Sequence, residues 1–132
     1  MNVLQGEITS IKTNGSLSLV TVHVGTISFN TIIIETPDTA SYLKQGNHIK
    51  MIFKETEVIV GKGIEHSLSI QNKAIGEIIN IKKGTLLSTL TIDSTVGHLT
   101  AIITSDAADQ LQLEIGEKIT ALIKTTEIML SE

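Results

Sequence analysis

The chain has no cysteine, no tryptophan and one proline, and its ten basic residues are all lysine. Without cysteine there is no disulfide framework, no thiolate metal site and no thiol nucleophile. Without arginine it loses the planar fork that grips phosphates and base edges in pairs of hydrogen bonds. The aromatic set is only Phe29, Tyr42 and Phe53, too sparse for a surface that stacks bases. With a net charge of -4, a nucleic-acid partner is not expected, because that affinity comes from neutralising phosphates. Apolar runs are short, Ile32 to Ile34 among them, and far from the ~20 residues that span a bilayer, so no membrane partner is expected. The opening MNVLQGEITS has neither a basic nor an apolar leader region, and the expectation is a cytoplasmic protein.

What is present is a duplication. At an offset of 70 positions, Asn2, Gly6, Glu7, Ile8, Ile11 and Lys12 fall on Asn72, Gly76, Glu77, Ile78, Ile81 and Lys82. Later, Leu43, Gly46, Ile49, Lys54, Thr56 and Glu57 fall on Leu113, Gly116, Ile119, Lys124, Thr126 and Glu127. Self-similarity at a fixed offset defines the architectural unit, here about 65 residues. Two domains are expected, 1–63 and 64–132, joined at Gly61-Lys62-Gly63. Units this small bury only about 60% of their unfolded surface, so each is expected to lean on its twin or on another chain.

Within each unit the pattern is that of strands. Leu17, Leu19, Val20, Val22 and Val24 form a β-branched run bounded by Asn14-Gly15, a hairpin signal. Ile27, Phe29 and Thr31 alternate into Ile32 to Ile34, and Ile49, Met51 and Phe53 alternate again. Between them Thr36-Pro37-Asp38 reads as a helix start, with Thr36 as cap and Gly46 as stop. The second copy repeats the plan, with a helix over Ser105 to Leu111, Ser105 as a candidate cap and Gly116 as stop. Five short strands with one short helix between the third and fourth describe an OB-type barrel. The expected class is all-β: two tandem OB-type five-stranded β-barrel domains, each with one short helix.

Catalytic patterns fail. The four histidines, His23, His48, His66 and His98, do not recur between copies and show no metal-ligand spacing such as i, i+4 on a helix. A structural or surface role is expected for them, with no free-cation site. Gly61-Lys62-Gly63 lacks the frame of a phosphate loop. No Ser-His-Asp order repeats, and the acids read as solvated strand faces, so an enzyme is not expected.

Small polar groups remain at the seams: Ser69-Ile70-Gln71-Asn72, then Ile103-Thr104-Ser105-Asp106-Ala107, then Ile123-Lys124-Thr125-Thr126. Here the chain resembles the molybdate-binding Mop domain, also called the TOBE or molbindin domain. That family opens with S-x-R-N followed by a glycine, continues with I-T-x-x-S and L-x-L-x-x-G, and closes with I-K-A-T. The matches are Ser69 to Asn72 with Gly76, Ile103-Thr104, Leu111-Gln112-Leu113 with Gly116, and Ile123 to Thr126. As two tandem copies the resemblance covers nearly the whole chain. It implies binding of molybdate or tungstate for storage or buffering, at sites between domains or subunits. It implies a homo-oligomer, plausibly a trimer of two-domain chains. The alternative is the regulatory module of a molybdenum-responsive regulator or transporter.

A tetrahedral dianion offers four acceptor oxygens, which backbone N–H groups at a helix start suit. On this basis the resemblance implies Ser69, Ile70, Gln71, Asn72, Thr104, Ser105, Ala107, Lys124 and Thr125 as oxyanion-binding residues, with Lys54 as the counterpart of Lys124 in the first copy. Gln71 stands where the family has arginine, and Ala107 where it has the second serine. The first copy departs further: Met1 precedes Asn2, Ile34 replaces the threonine and Pro37 the serine. That copy is expected to hold an anion poorly.

Overall fold

A computed structural model describes all 132 residues. The strands are β1 (Asn2–Asn14), β2 (Leu17–Val24), β3 (Ile27–Ile33), β4 (His48–Phe53), β5 (Ile59–Lys62), β6 (Asn72–Lys83), β7 (Leu87–Ser94), β8 (Gly97–Thr104), β9 (Lys118–Ile123) and β10 (Met129–Ser131). One α-helix, α1 (Ser105–Gln110), follows β8. A 3-10 turn at Glu55–Glu57 follows β4. All pairings are antiparallel, in two curled five-stranded sheets. The class is the one the sequence implies, all-β with two OB-type units.

The expected boundary at 63/64 does not partition the sheets. The first has the order β10-β4-β1-β2-β3, and the second β5-β9-β6-β7-β8. Each sheet takes its fifth strand from the other repeat. Met129, Leu130 and Ser131 pair with Ile52, Met51 and Lys50, while Ile59 to Lys62 pair with Leu122 to Ile119. Gly61 and Lys62 therefore belong to a strand, and the connection between repeats runs from 63 to 71. Gly61 is required there because a Cβ on it would lie 2.7 Å from the His66 ring. Exchange merges the two cores: one apolar cluster runs from Leu4, Ile8 and Phe29 through Ile78 and Leu90 to Ile123 and Ile128.

The repeated glycines have a steric reason. A Cβ on Gly6 would sit 2.5 Å from the His23 carbonyl oxygen, and one on Gly76 2.9 Å from that of Asp93. Both long strands then break register at the same place, between Ile8 and Ser10 and between Ile78 and Asn80, which bends each strand around its core. At the first hairpin Gly15 takes φ 63°, as the first central residue of a tight β-hairpin turn requires.

The helix expected in the first repeat is absent; residues 36–43 form turns. Pro37 contributes no N–H. The Ala40 N–H donates to the Thr36 carbonyl at 2.9 Å, one turn that Ser41 and Tyr42 do not continue, although Thr39 Oγ1 accepts from the Thr36 N–H at 2.8 Å as at a helix start. In the second repeat Thr104, not Ser105, is the cap: its Oγ1 accepts from the Ala107 N–H at 3.1 Å.

Candidate functional site

Two seams hold the repeats together, related by the same offset as the sequence. At one, the buried Asn72 side chain donates to the Asn30 carbonyl at 2.8 Å and accepts from the Asn30 N–H at 2.6 Å. At the other, Asn2 does the same to Thr100, at 2.8 Å for each bond. An asparagine at the start of one sheet thus clamps the third strand of the other. The connector after β9 reinforces the first seam. The Thr125 carbonyl accepts from the Ile32 N–H at 3.1 Å and from Thr31 Oγ1 at 3.2 Å. Thr31 Oγ1 also reaches the Ile128 carbonyl at 2.8 Å. At the second seam the 3-10 turn after Lys54 packs on β8.

This geometry divides the expected oxyanion residues into two groups. Asn72 and Ile123 are cross-strand partners, so Ser69 to Gln71 and Lys124 to Thr125 emerge at one end of adjacent strands, against β3. Thr104 ends β8, the strand that faces the turn behind Lys54, and Ser105 and Ala107 follow it in α1. The two groups therefore belong to different seams.

Hydrogen-bond accounting sorts the list further. Asn72 is fully buried and both ends of its amide are spent on Asn30, so it is a clamp and not a free donor. Ser105 is buried, with its N–H on the Leu86 carbonyl at 2.8 Å and its hydroxyl donating to Gly84 at 2.7 Å. Its role is to pin α1 to the β6–β7 connection. The Ala107 N–H is spent on Thr104. By contrast, the N–H groups of Ser69, Ile70, Gln71, Lys124 and Thr125 have no acceptor within the chain. Lys124 and Lys54 are both exposed and make no ion pair. Unsatisfied donors of this number beside a lysine form an anion-favouring surface. Ser69, Thr104 and Lys124 are exposed, so this surface is open on one side.

The seams differ in charge. Glu55 occupies the position of Thr125, and its carboxylate accepts from the Met1 amino group at 2.9 Å. That hydrogen bond holds the Glu55 carboxyl below its usual range. Glu35, beyond β3, accepts from the Tyr42 hydroxyl at 2.7 Å. Burial, followed by that carboxylate, pushes Tyr42 up to about 12. The Asn30 and Thr100 clamp partners escaped the sequence reading because they act through backbone groups, which carry no residue signature. The one available signal was the recurrence of Asn2 at Asn72.

Comparison with known proteins agrees with this architecture. The TOBE domain family matches residues 68–130. Molybdenum-pterin-binding protein 1 of Clostridium pasteurianum is 31% identical over 65 residues, 48% of this chain and 96% of that protein. Molybdenum-pterin-binding protein MopB of Rhodobacter capsulatus is 34% identical over 91 residues, 67% of this chain but 34% of that protein. The chain thus spans about a third of MopB. Among solved structures, that of the cytoplasmic molybdate-binding protein ModG superposes with a TM-score of 0.90 at 21% identity, covering 98% of this chain and 94% of that one. That superposition extends over both sheets, so the exchanged two-repeat fold is shared as well as the single unit. With the repeat, the seam motifs and these likenesses together, the chain belongs to the Mop/TOBE (molbindin) family, as a tandem two-repeat member.

Proposed function

We propose that this protein binds molybdate or tungstate and serves in storage or buffering of the oxyanion. The observation that carries the reading is the group of unspent donors at the first seam. The N–H groups of Ser69, Ile70, Gln71, Lys124 and Thr125 have no acceptor in the chain, and these residues lie at the paired ends of β6 and β9, where Ser69 and Lys124 are exposed. Hydrogen bonds to a charged partner contribute about 1.5–3 kcal/mol each, and a micromolar Kd corresponds to about −8 kcal/mol. Four to five such bonds reach that affinity after ordering costs. The relatives named for molybdenum-pterin binding and ModG's described ligand support the same class of guest.

The first seam is the better site. At the second, Glu55 places a carboxylate where Thr125 stands, and Met1 stands where Gln71 does. Thr104 offers its hydroxyl there, but Ser105 and Ala107 have no N–H to give. Because the first seam is open on one side, a second copy of the chain is the natural closing wall. We therefore favour a homo-oligomer, with a trimer of two-domain chains as the specific expectation, located in the cytoplasm. Repeats 1–63 and 64–132 serve as its sequence units. No catalytic role is assigned, and no helix is long and apolar enough to cross a membrane.

Calorimetric titration with molybdate, tungstate, sulfate and phosphate tests the reading. Heat is expected from the first two, and Lys124→Ala is expected to weaken both by about tenfold, the equivalent of one charge-assisted bond. No heat from any oxyanion with folded protein overturns it. Native mass spectrometry that finds only monomer at micromolar concentration overturns the shared-wall arrangement.

A further inference from the structure

The hairpin tip between β1 and β2 carries a pair that the oxyanion reading does not use, Asn14-Gly15. Asn14 ends β1 opposite Leu17 on β2, so Gly15 and Ser16 alone make the turn. Gly15 takes φ 63°, and a Cβ built on it would meet nothing within 4 Å. Asn14 and Gly15 are both exposed. The neighbouring Thr13 and Ser18 hydroxyls bond each other, and the Asn14 amide makes no hydrogen bond. The Gly15 N–H has no acceptor within the chain either.

The other asparagines show what is special here. Asn2 and Asn72 are spent on the two clamps, Asn30 accepts from the Thr21 hydroxyl at 2.7 Å, and Asn47 donates to the Tyr42 carbonyl at 2.9 Å. Asn80 is exposed, but it lies inside β6 and is followed by Ile81, whose branched Cβ crowds the approach to its backbone nitrogen. The second repeat has Gly84-Thr85 where the first has Asn14-Gly15. Asn14 alone combines an unspent amide, an unspent N–H on the next residue and a next residue without a side chain.

We propose that Asn14 is a site of spontaneous conversion to aspartate and isoaspartate through a cyclic imide. The Gly15 backbone nitrogen gives up its proton and attacks the Asn14 side-chain carbonyl carbon, Cγ. The new N–Cγ bond closes a ring, the Cγ–Nδ2 bond breaks, and ammonia leaves with the proton that Gly15 gave up. Water then opens the ring. Cleavage of the N–Cγ bond leaves aspartate. Cleavage of the original peptide bond leaves isoaspartate, whose main chain runs through the former side chain. Only water is consumed. Either product adds a negative charge to the hollow of about 400 Å³ that Asn14 lines with Lys12, Leu17 and Ile32. Isoaspartate also lengthens the backbone by one carbon beside a two-residue turn whose geometry sets the strand register, so the Asn14–Leu17 pairing is disturbed.

The test uses the full chain, shown by circular dichroism to be folded, in warm, mildly alkaline buffer that favours loss of the Gly15 proton. Peptide mapping by mass spectrometry is expected to show residue 14 passing from amide to acid, with isoaspartate among the products by its response to isoaspartyl methyltransferase. Asn80 and the four bonded asparagines are expected to stay intact over the same period. Asn14→Gln is expected to lose the change, because its longer side chain must close a larger ring. A free peptide of residues 9–19 is the reference. Asn14 left intact in the folded chain while the peptide converts overturns the proposal. So does conversion of Asn80 at the same rate, or aspartate without isoaspartate, since direct hydrolysis forms no ring. No oxyanion enters the experiment, so its outcome stands apart from that of the oxyanion reading.

Discussion

The two repeats use the same frame for different purposes, and the differences are concentrated where the chain is exposed. Both have a glycine where the first long strand crosses the second, both bulge one turn later, and both commit an asparagine to the other's third strand. These shared features lie in the core or at buried seams, where a change leaves a clash or an unpaired polar group. Outside that frame they diverge. The second has a capped helix where the first has turns, Thr125 where the first has Glu55, and Asp93 and Lys118 where the first has histidines. Duplication under these physical limits preserves what packs and releases what faces solvent.

The largest expected effect tests the shared frame. Asn72→Ala removes both bonds to Asn30 and leaves the half-buried Asn30 N–H and carbonyl without these partners, at about 1–3 kcal/mol for each group. Denaturant unfolding should show a loss of about 3 kcal/mol, and Asn2→Ala a comparable one. A large loss for only one of the two would mean that the seams are alike in geometry but not in energy. Gly6→Ala forces a Cβ to within 2.5 Å of the His23 carbonyl oxygen. Strain of this kind costs about 1–3 kcal/mol, measurable by the same unfolding experiment.

Next come the contrasts. Lys124→Ala is expected to weaken molybdate binding by about tenfold, and Lys54→Ala to leave it nearly unchanged; equal effects in calorimetry would erase the distinction between seams. Thr104→Ala removes a helix cap and should cost about 1 kcal/mol, whereas Thr36→Ala, which caps no helix, should cost less in the same assay.

The smallest effect concerns Tyr42, which has Gln112 as its counterpart. With no tryptophan present, its ionisation is readable by ultraviolet absorbance. The midpoint is expected near 12, and Glu35→Gln should move it back toward its ordinary value. Because folding favours the protonated phenol, this contribution is complete below the unfolded value near 10. It declines as pH rises from there through about 12, so the stability lost over that range should be smaller in Glu35→Gln, whose folded value lies closer to the unfolded one.

Much of the fold was legible because strands and turns leave local marks. The alternation at Ile27 to Thr31 and Ile49 to Phe53 marked β3 and β4, and Gly15 marked the hairpin. The first repeat has no helix although Thr36-Pro37-Asp38 carries helix-start chemistry, because the turn closed by the Ala40 N–H on the Thr36 carbonyl is not continued by the next residues. The proposed site was legible in part. Ser69 to Gln71 and Lys124 to Thr125 share a strand end, while Ser105 and Asn72 are already committed to internal bonds. Nothing in a hydroxyl or amide reveals beforehand which acceptor has claimed it. The placement of His23 and His48 on either side of Glu7 appears only with the register.

By itself the sequence determined that there are two copies and that they are built of strands, because a repeat and an alternation of apolar residues are written along the chain. Only the tertiary structure decided which sheet each closing strand joins. Ile59 and Met129 occupy equivalent positions, and a backbone ladder accepts either partner through the same N–H and carbonyl groups. The choice rests on the connections and the merged core, which are properties of the assembled chain.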